Sequence, residues 1–273
     1  AGIIAAGHAV GWPVIRGGTG HFTEASIAML RGMGVRFETG QRITRLHELP
    51  RHDIVMLDVH PHIAAGILAE HQPRGPRRAY RRFKPGPAAF KVDLAVEGGI
   101  PWSNPEVAKA GTVHLGGTAK EIIAAEREVG AGRMPQRPFV LVGQQYVADP
   151  SRTSGNLVPV YAYAHVPYGY PGDATEQVIA QIERFAPGVC DRIVAVRSRS
   201  TAEAEAENPN FIGGDILTGA KSPTQFLLGP RITAQPYDTG VPGVYLCSAA
   251  TPPGPGIHGM GGFNAANRAL RLS

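Results

Sequence analysis

An apolar strand that runs into a glycine-rich turn, which in turn opens a short helix, constrains this chain more than any other stretch. Val244-Tyr245-Leu246-Cys247-Ser248-Ala249 leads to Thr251-Pro252-Pro253-Gly254-Pro255-Gly256-Ile257-His258-Gly259-Met260-Gly261-Gly262-Phe263. Glycine lets a backbone approach a ligand closely, and a helix N-terminus favours electronegative groups. Gly254, Gly256 and Gly259 also fit G-x-G-x-x-G. That fingerprint needs a following strand and an acidic residue about 20 positions further on to hold a ribose. With the sequence ending at Ser273, the turn is expected to touch a cofactor without being its primary dinucleotide-binding loop.

A hydrophobic content of 43% in 273 residues is that of a folded protein of one or two domains. No apolar run approaches the ~20 residues of a membrane span, and the first residues lack a signal-peptide pattern. A cytoplasmic protein is the expectation. Cys190 and Cys247 lie in apolar, strand-like segments and read as buried free thiols. The net charge of +5 is concentrated in Arg74, Arg77, Arg78, Arg81, Arg82 and Lys84, with Tyr80 and Phe83 interleaved. Such a run is either a nucleic-acid patch or a solvated helix face, and charge runs usually solvate, so no nucleic-acid partner is expected.

Periodicity divides the chain. Residues 17–60 read as a helix closed at Gly34, strands at 35–39 and 42–46, and a continuous apolar strand at 53–59 suited to an α/β layer. Phe90–Val96 alternates with period two, and so does Leu157–Val166, where Val160, Ala162, Ala164 and Val166 oppose Tyr161, Tyr163 and His165. Phe139–Val147 and Asp191–Arg197 read as further strands. Thr118 with Glu121, and Asp173 with Glu176, have capping-box spacing at helix starts. The fold class predicted is α/β (α+β). It comprises a helix-and-strand layer (1–66), an antiparallel sheet with helices (67–235), and a C-terminal strand and helix returning to the first layer (236–273).

Several segments together resemble one family. They are Gly11-Trp12-Pro13-Val14 through Gly17-Gly18, Phe90–Asp93 with Ile100-Pro101-Trp102, Thr112–Gly117, Glu207-Asn208-Pro209-Asn210-Phe211-Ile212-Gly213-Gly214-Asp215, and the terminal turn. The chain is similar to the C-terminal portion of FAD-dependent oxidoreductases of the phytoene desaturase and amine oxidase superfamily. The branch it most resembles is the one named for pyridine nucleotide-disulphide oxidoreductase domain 2. Such proteins fold as a doubly wound FAD/NAD(P)-binding domain with an inserted sheet-based substrate domain, which would make 1–66 and 236–273 part of the former and 67–235 the latter. They begin with a strand–G-x-G-x-x-G–helix segment that this sequence lacks, so it looks like the second half of a longer protein.

The resemblance implies FAD as cofactor, an unspecified electron acceptor and a small hydrophobic substrate whose hydride passes to the flavin. It places Ser248, Ala249, Gly259, Met260, Gly261 and Gly262 along the flavin. Gly17 and Gly18 would sit where the chain re-enters the FAD domain, although tight packing accounts for them equally well. Ile43 would pair with adenine through its backbone, against an ordinary structural role. Trp12 would border the substrate cavity, with core packing as an even competitor. Tyr163 and His165, from the alternation of their strand, line either a substrate pocket or a plain aromatic sheet face. No metal is expected: His60 and His62 flank Pro61 without a carboxylate or cysteine pattern. A homo-oligomer is compatible with all of this. The alternative to an enzyme is a binding or assembly module on a degenerate oxidoreductase fold.

Overall fold

The structure, a computed structural model, describes residues 7–11, 13–220, 222–256 and 259–271. It is an α+β fold with one parallel and one antiparallel sheet. The parallel sheet pairs β1 (Val55–Leu57) with β7 (Val244–Leu246), in the register Val55↔Val244 and Leu57↔Leu246. Continuous burial along β7 is why its sequence shows an apolar run and no alternation. Helices α2 (Pro61–Ile67) and α3 (Arg74–Arg81) close this layer, with Ala64, Ala65, Leu68 and Tyr80 packed against Val55, Leu57, Val244 and Leu246.

Between β1 and β7 the chain builds a five-stranded antiparallel sheet in the order β3-β4-β5-β2-β6. Its strands are β2 (Ala88–Glu97), β3 (Thr112–Leu115), β4 (Val140–Gly143), β5 (Leu157–Val166) and β6 (Ile193–Arg199). The period-two reading of β2 and β5 holds residue by residue. Phe90, Val92, Leu94, Val160, Ala162 and Ala164 are buried beneath α5 (Thr175–Phe185) through Val178 and Ile182. Lys91, Asp93, Tyr161, Tyr163 and His165 lie half-buried on the opposite face. Helix α4 (Ala119–Gly130) starts on the Thr118/Glu121 capping box and is tied to α5 by Arg184 Nη2, 2.8 Å from Glu121 Oε1. Its capping hydrogen bonds, before the arginine, hold the Glu121 carboxyl down at about 2.

Several expectations are corrected. The strands predicted at 35–39 and 42–46 do not form. Val35 and Phe37 are exposed, and Thr44 gives its N–H and hydroxyl to the Glu48 carboxylate (2.7 and 2.8 Å) where a strand ladder would have been. The Asp173/Glu176 pair is no capping box: α5 begins after Ala174, and Asp173 Oδ1 accepts the Thr175 N–H at 2.7 Å. Cys190 is exposed in a 3₁₀ turn, because its neighbour Val189 takes the buried position there; Cys247 is half-buried at the end of β7. The predicted first helix does form, as α1 (Thr19–Gly32), and Gly34 follows it at φ +85°. No residue of α1 is buried, and Phe22 and Met29 stand exposed. Among the described residues no helix is long and apolar enough to cross a membrane.

Candidate functional site

Cys247 extends the β1–β7 pairing, its N–H donating to the Leu57 carbonyl at 3.0 Å. The chain then turns sharply, with the Thr251 hydroxyl and N–H both directed at the Ser248 carbonyl (2.7 and 2.9 Å). Helix α8 (Met260–Leu270) begins at Gly259, which is left-handed (φ +73°) and offers no capping side chain. The first N–H groups of α8 therefore have no side-chain cap and open on a cavity of about 300 Å³.

Ser248, Ala249, Gly259, Gly261 and Gly262 line this cavity, together with Cys247 and Asp58. The glycines there have different reasons to be glycine. A β-carbon on Gly261 would lie 2.8 Å from the Cys247 carbonyl, so helix-to-strand packing excludes one. Gly256 and Gly259 need their positive φ. Gly262 is a helical residue whose β-carbon would meet no protein atom within 4 Å. Among the described residues neither packing nor a left-handed backbone calls for glycine there. Ser248 Oγ is buried beside the same cavity and has no hydrogen-bond partner among the described residues.

Asp58 was not singled out from sequence. The signal available was its place near the end of an apolar run, where strand ends of a parallel layer meet ligands. Burial raises its carboxyl above the ordinary range. Cys247 is pushed up to about 11, first by burial and then by the Asp58 charge, so its thiol stays protonated.

The other sequence candidates are placed as follows. Met260 opens α8 without lining the cavity. Gly17 donates its N–H to Asp149 Oδ2 at 2.7 Å, and Gly18 sits against the Arg152 guanidinium. Ile43 is half-buried in a segment outside helix and strand and does not line the turn's cavity. Trp12 lies outside the described residues. Tyr163 and His165 line a second cavity, of about 360 Å³, walled by Pro87, Ala88, Ala89, Ile216 and Leu217. A small gap between Phe83, Gly219, Ala249 and Gly254 shares Ala249 and Gly254 with the first cavity and Gly219 with the second.

The Asn-Pro-Asn…Gly-Gly-Asp segment builds that junction. Asn210 Oδ1 accepts the His60 N–H at 2.8 Å, which ties the segment to the end of β1. Asp215 is buried and accepts the N–H groups of Gly86 (2.7 Å), Leu217 (2.9 Å) and Gly219 (2.6 Å). His60 also has a structural use, since its Nδ1 accepts the His62 N–H and caps α2. The basic run forms α3 and its C-terminal flank. Tyr80 and Phe83 are buried anchors, Arg77 donates to the Ala69 carbonyl at 2.7 Å, and Arg74, Arg78, Arg81 and Arg82 face solvent.

No family model matches the chain, and no curated protein sequence matches it. Among solved structures it superposes on the crystal structure of an oxidoreductase from Methanosarcina mazei with a TM-score of 0.59 and 13% identity. The match covers 99% of this chain and 58% of that one, so this chain spans a little over half the length of that protein. At this identity the likeness is one of fold.

Proposed function

We propose that the chain forms the flavin-facing and substrate-facing parts of an FAD-dependent oxidoreductase of the phytoene-dehydrogenase-like kind, acting on a hydrophobic substrate. The observation that carries the reading is Gly262. Glycine inside a helix costs roughly 1 kcal/mol relative to alanine. Here none of the described residues occupies the space a side chain would fill. A ligand lying against the first turn of α8 supplies the missing reason. The orphaned Ser248 hydroxyl on the same cavity, and the uncapped N–H groups of Met260 to Gly262, suit a group with hydroxyls and electron-rich ring atoms. The fold shared with a solved oxidoreductase supports the same reading.

When bound, FAD supplies the hydride-accepting chemistry. The chain's own residues would hold and screen it. The α8 N-terminus and Ser248 would donate to its electronegative edge and Asp58 would accept from its hydroxyls, while Ala249 and Gly254 would stand between its site and the apolar cavity. Pro87, Ala88, Ala89 and Ile216 would exclude water around an apolar substrate, and positioning needs no dedicated acid or base. The domain division 1–66, 67–235 and 236–273 belongs to the same proposal.

The test is an amide-resolved NMR titration of the chain with FAD. The amides of Ser248, Ala249 and Gly259 to Gly262 should shift while those of α3 stay still. Gly262→Val, which puts a side chain into the open space, should weaken binding about tenfold or more without lowering the melting temperature. Equal affinity for FAD in the variant, or shifts that avoid the turn altogether, would overturn the reading.

A further inference from the structure

The apolar cavity beside the glycine turn contains one polar arrangement that flavin binding leaves unused. Glu126, on α4, places Oε1 2.8 Å from Nδ1 of His165, near the end of β5. The His165 ring is held on two further sides: Phe139 lies 5.3 Å away between centroids, and Tyr163 stacks at 6.1 Å with 29° between planes. In the neutral ring a carboxylate acceptor at this distance puts the proton on Nδ1 and leaves Nε2 as an acceptor. Nε2 has no partner among the described residues. The other carboxylate on the cavity wall is already committed, since Asp215 accepts three backbone N–H groups. Apart from the Tyr163 phenol the remaining walls are apolar side chains and glycine backbone, and about 360 Å³ is within the range of small-molecule sites.

We infer that this cavity selects an apolar molecule carrying one hydrogen-bond donor, a hydroxyl or an amine, which His165 Nε2 accepts. Glu126, which also lines the cavity, acts as a positioning residue by fixing the ring and its tautomer. A molecule of the same shape without a donor would desolvate Nε2 and leave it unpaired, and sites of this kind discriminate mainly through that penalty. The inference rests on the flavoprotein reading for the idea that this cavity receives the substrate, while the selectivity is a property of the cavity alone.

The test uses the whole chain without FAD and three probes of matched length: decan-1-ol, decylamine and methyl nonyl ether. Calorimetry should show the alcohol, the amine or both binding about fivefold or more tighter than the ether, and comparison of the two donors identifies the head group. His165→Phe should abolish the preference while leaving ether affinity and melting temperature in place. Imidazole ¹⁵N spectra should show His165 protonated at Nδ1 in the wild type, and Glu126→Ala should shift the proton toward Nε2 and remove most of the preference. Ile216→Trp, which fills the cavity from its aliphatic wall, should weaken all three probes. Equal binding of the probes, no binding of any, a preference that survives His165→Phe, or a tautomer indifferent to Glu126→Ala would each overturn the inference. An FAD titration that fails while the donor preference stands removes only the flavoprotein reading; the reverse pattern removes only this one.

Discussion

His60 shows how far one buried side chain reaches. It is 1% exposed, its Nδ1 caps α2, its backbone is held by Asn210, and burial, reinforced by His62, lowers its pKa to about 4. In the unfolded chain an imidazole titrates near 6.5, so as pH falls the unfolded state takes the proton first. The stability that is fully present above about pH 6.5 is therefore lost progressively as the pH drops toward 4, by up to roughly 3 kcal/mol from this residue. Urea unfolding at pH 7 and at pH 4.5 should show a smaller loss in His60→Asn, which keeps a capping acceptor without the titration. Parallel losses in the two proteins would show that His60 is not the source. From sequence His60 stood out only as one of two histidines flanking a proline; its burial depends on Phe83 and Asn210, which are remote in the chain.

Among the elements, helix starts are the most legible features because their chemistry is local. The Thr118 hydroxyl accepts the Glu121 N–H while the Glu121 carboxylate accepts the Thr118 N–H, and both partners stand within one turn of each other. Thr118→Ala should destabilise the chain by about 1 kcal/mol and Thr118→Ser by much less, read from the shift in urea midpoint. Ser200 and Glu203 form a second complete box at the start of α6 (Thr201–Glu207), with the same spacing in the sequence as Thr118 and Glu121. Asp173 and Glu176 show the limit of the same rule. An Asx-type bond to Thr175 competes for the side chain, and spacing alone does not say which wins. The strands expected at 35–39 and 42–46 failed for a related reason. Apolar alternation gives a strand its faces, but only a partner gives it a ladder, and the carboxylate that Thr44 meets is four residues away in the chain.

For the molecule as a whole, Asp215 fastens the segment entering the antiparallel sheet to a loop far along the chain. It holds Gly86, which precedes β2 and lies 129 positions away in sequence, while fixing its own loop through Leu217 and Gly219 beside the gap between the cavities. Asp215→Ala would leave three N–H groups without their acceptor, and the buried ones cost about 1–3 kcal/mol each. A loss of roughly 3 kcal/mol or more is expected in chemical denaturation, with Asp215→Asn intermediate because one carbonyl oxygen remains. A variant as stable as the wild type would show that water or neighbouring groups replace the carboxylate. By itself the sequence determined what depends on neighbours within a few residues. That includes the inward and outward faces of β2 and β5, the Thr118 cap, the glycine turn and the helix it opens. Tertiary structure alone decided the parallel pairing of β1 with β7 across the intervening sheet, the seat of Asp58 on the glycine-turn cavity, the meeting of Glu126 with His165, and the commitments of Asp215. The physical reason is range. Dihedral preference, side-chain alternation and capping act over a few residues, whereas desolvation and hydrogen-bond pairing between distant segments are fixed only when the whole chain has packed.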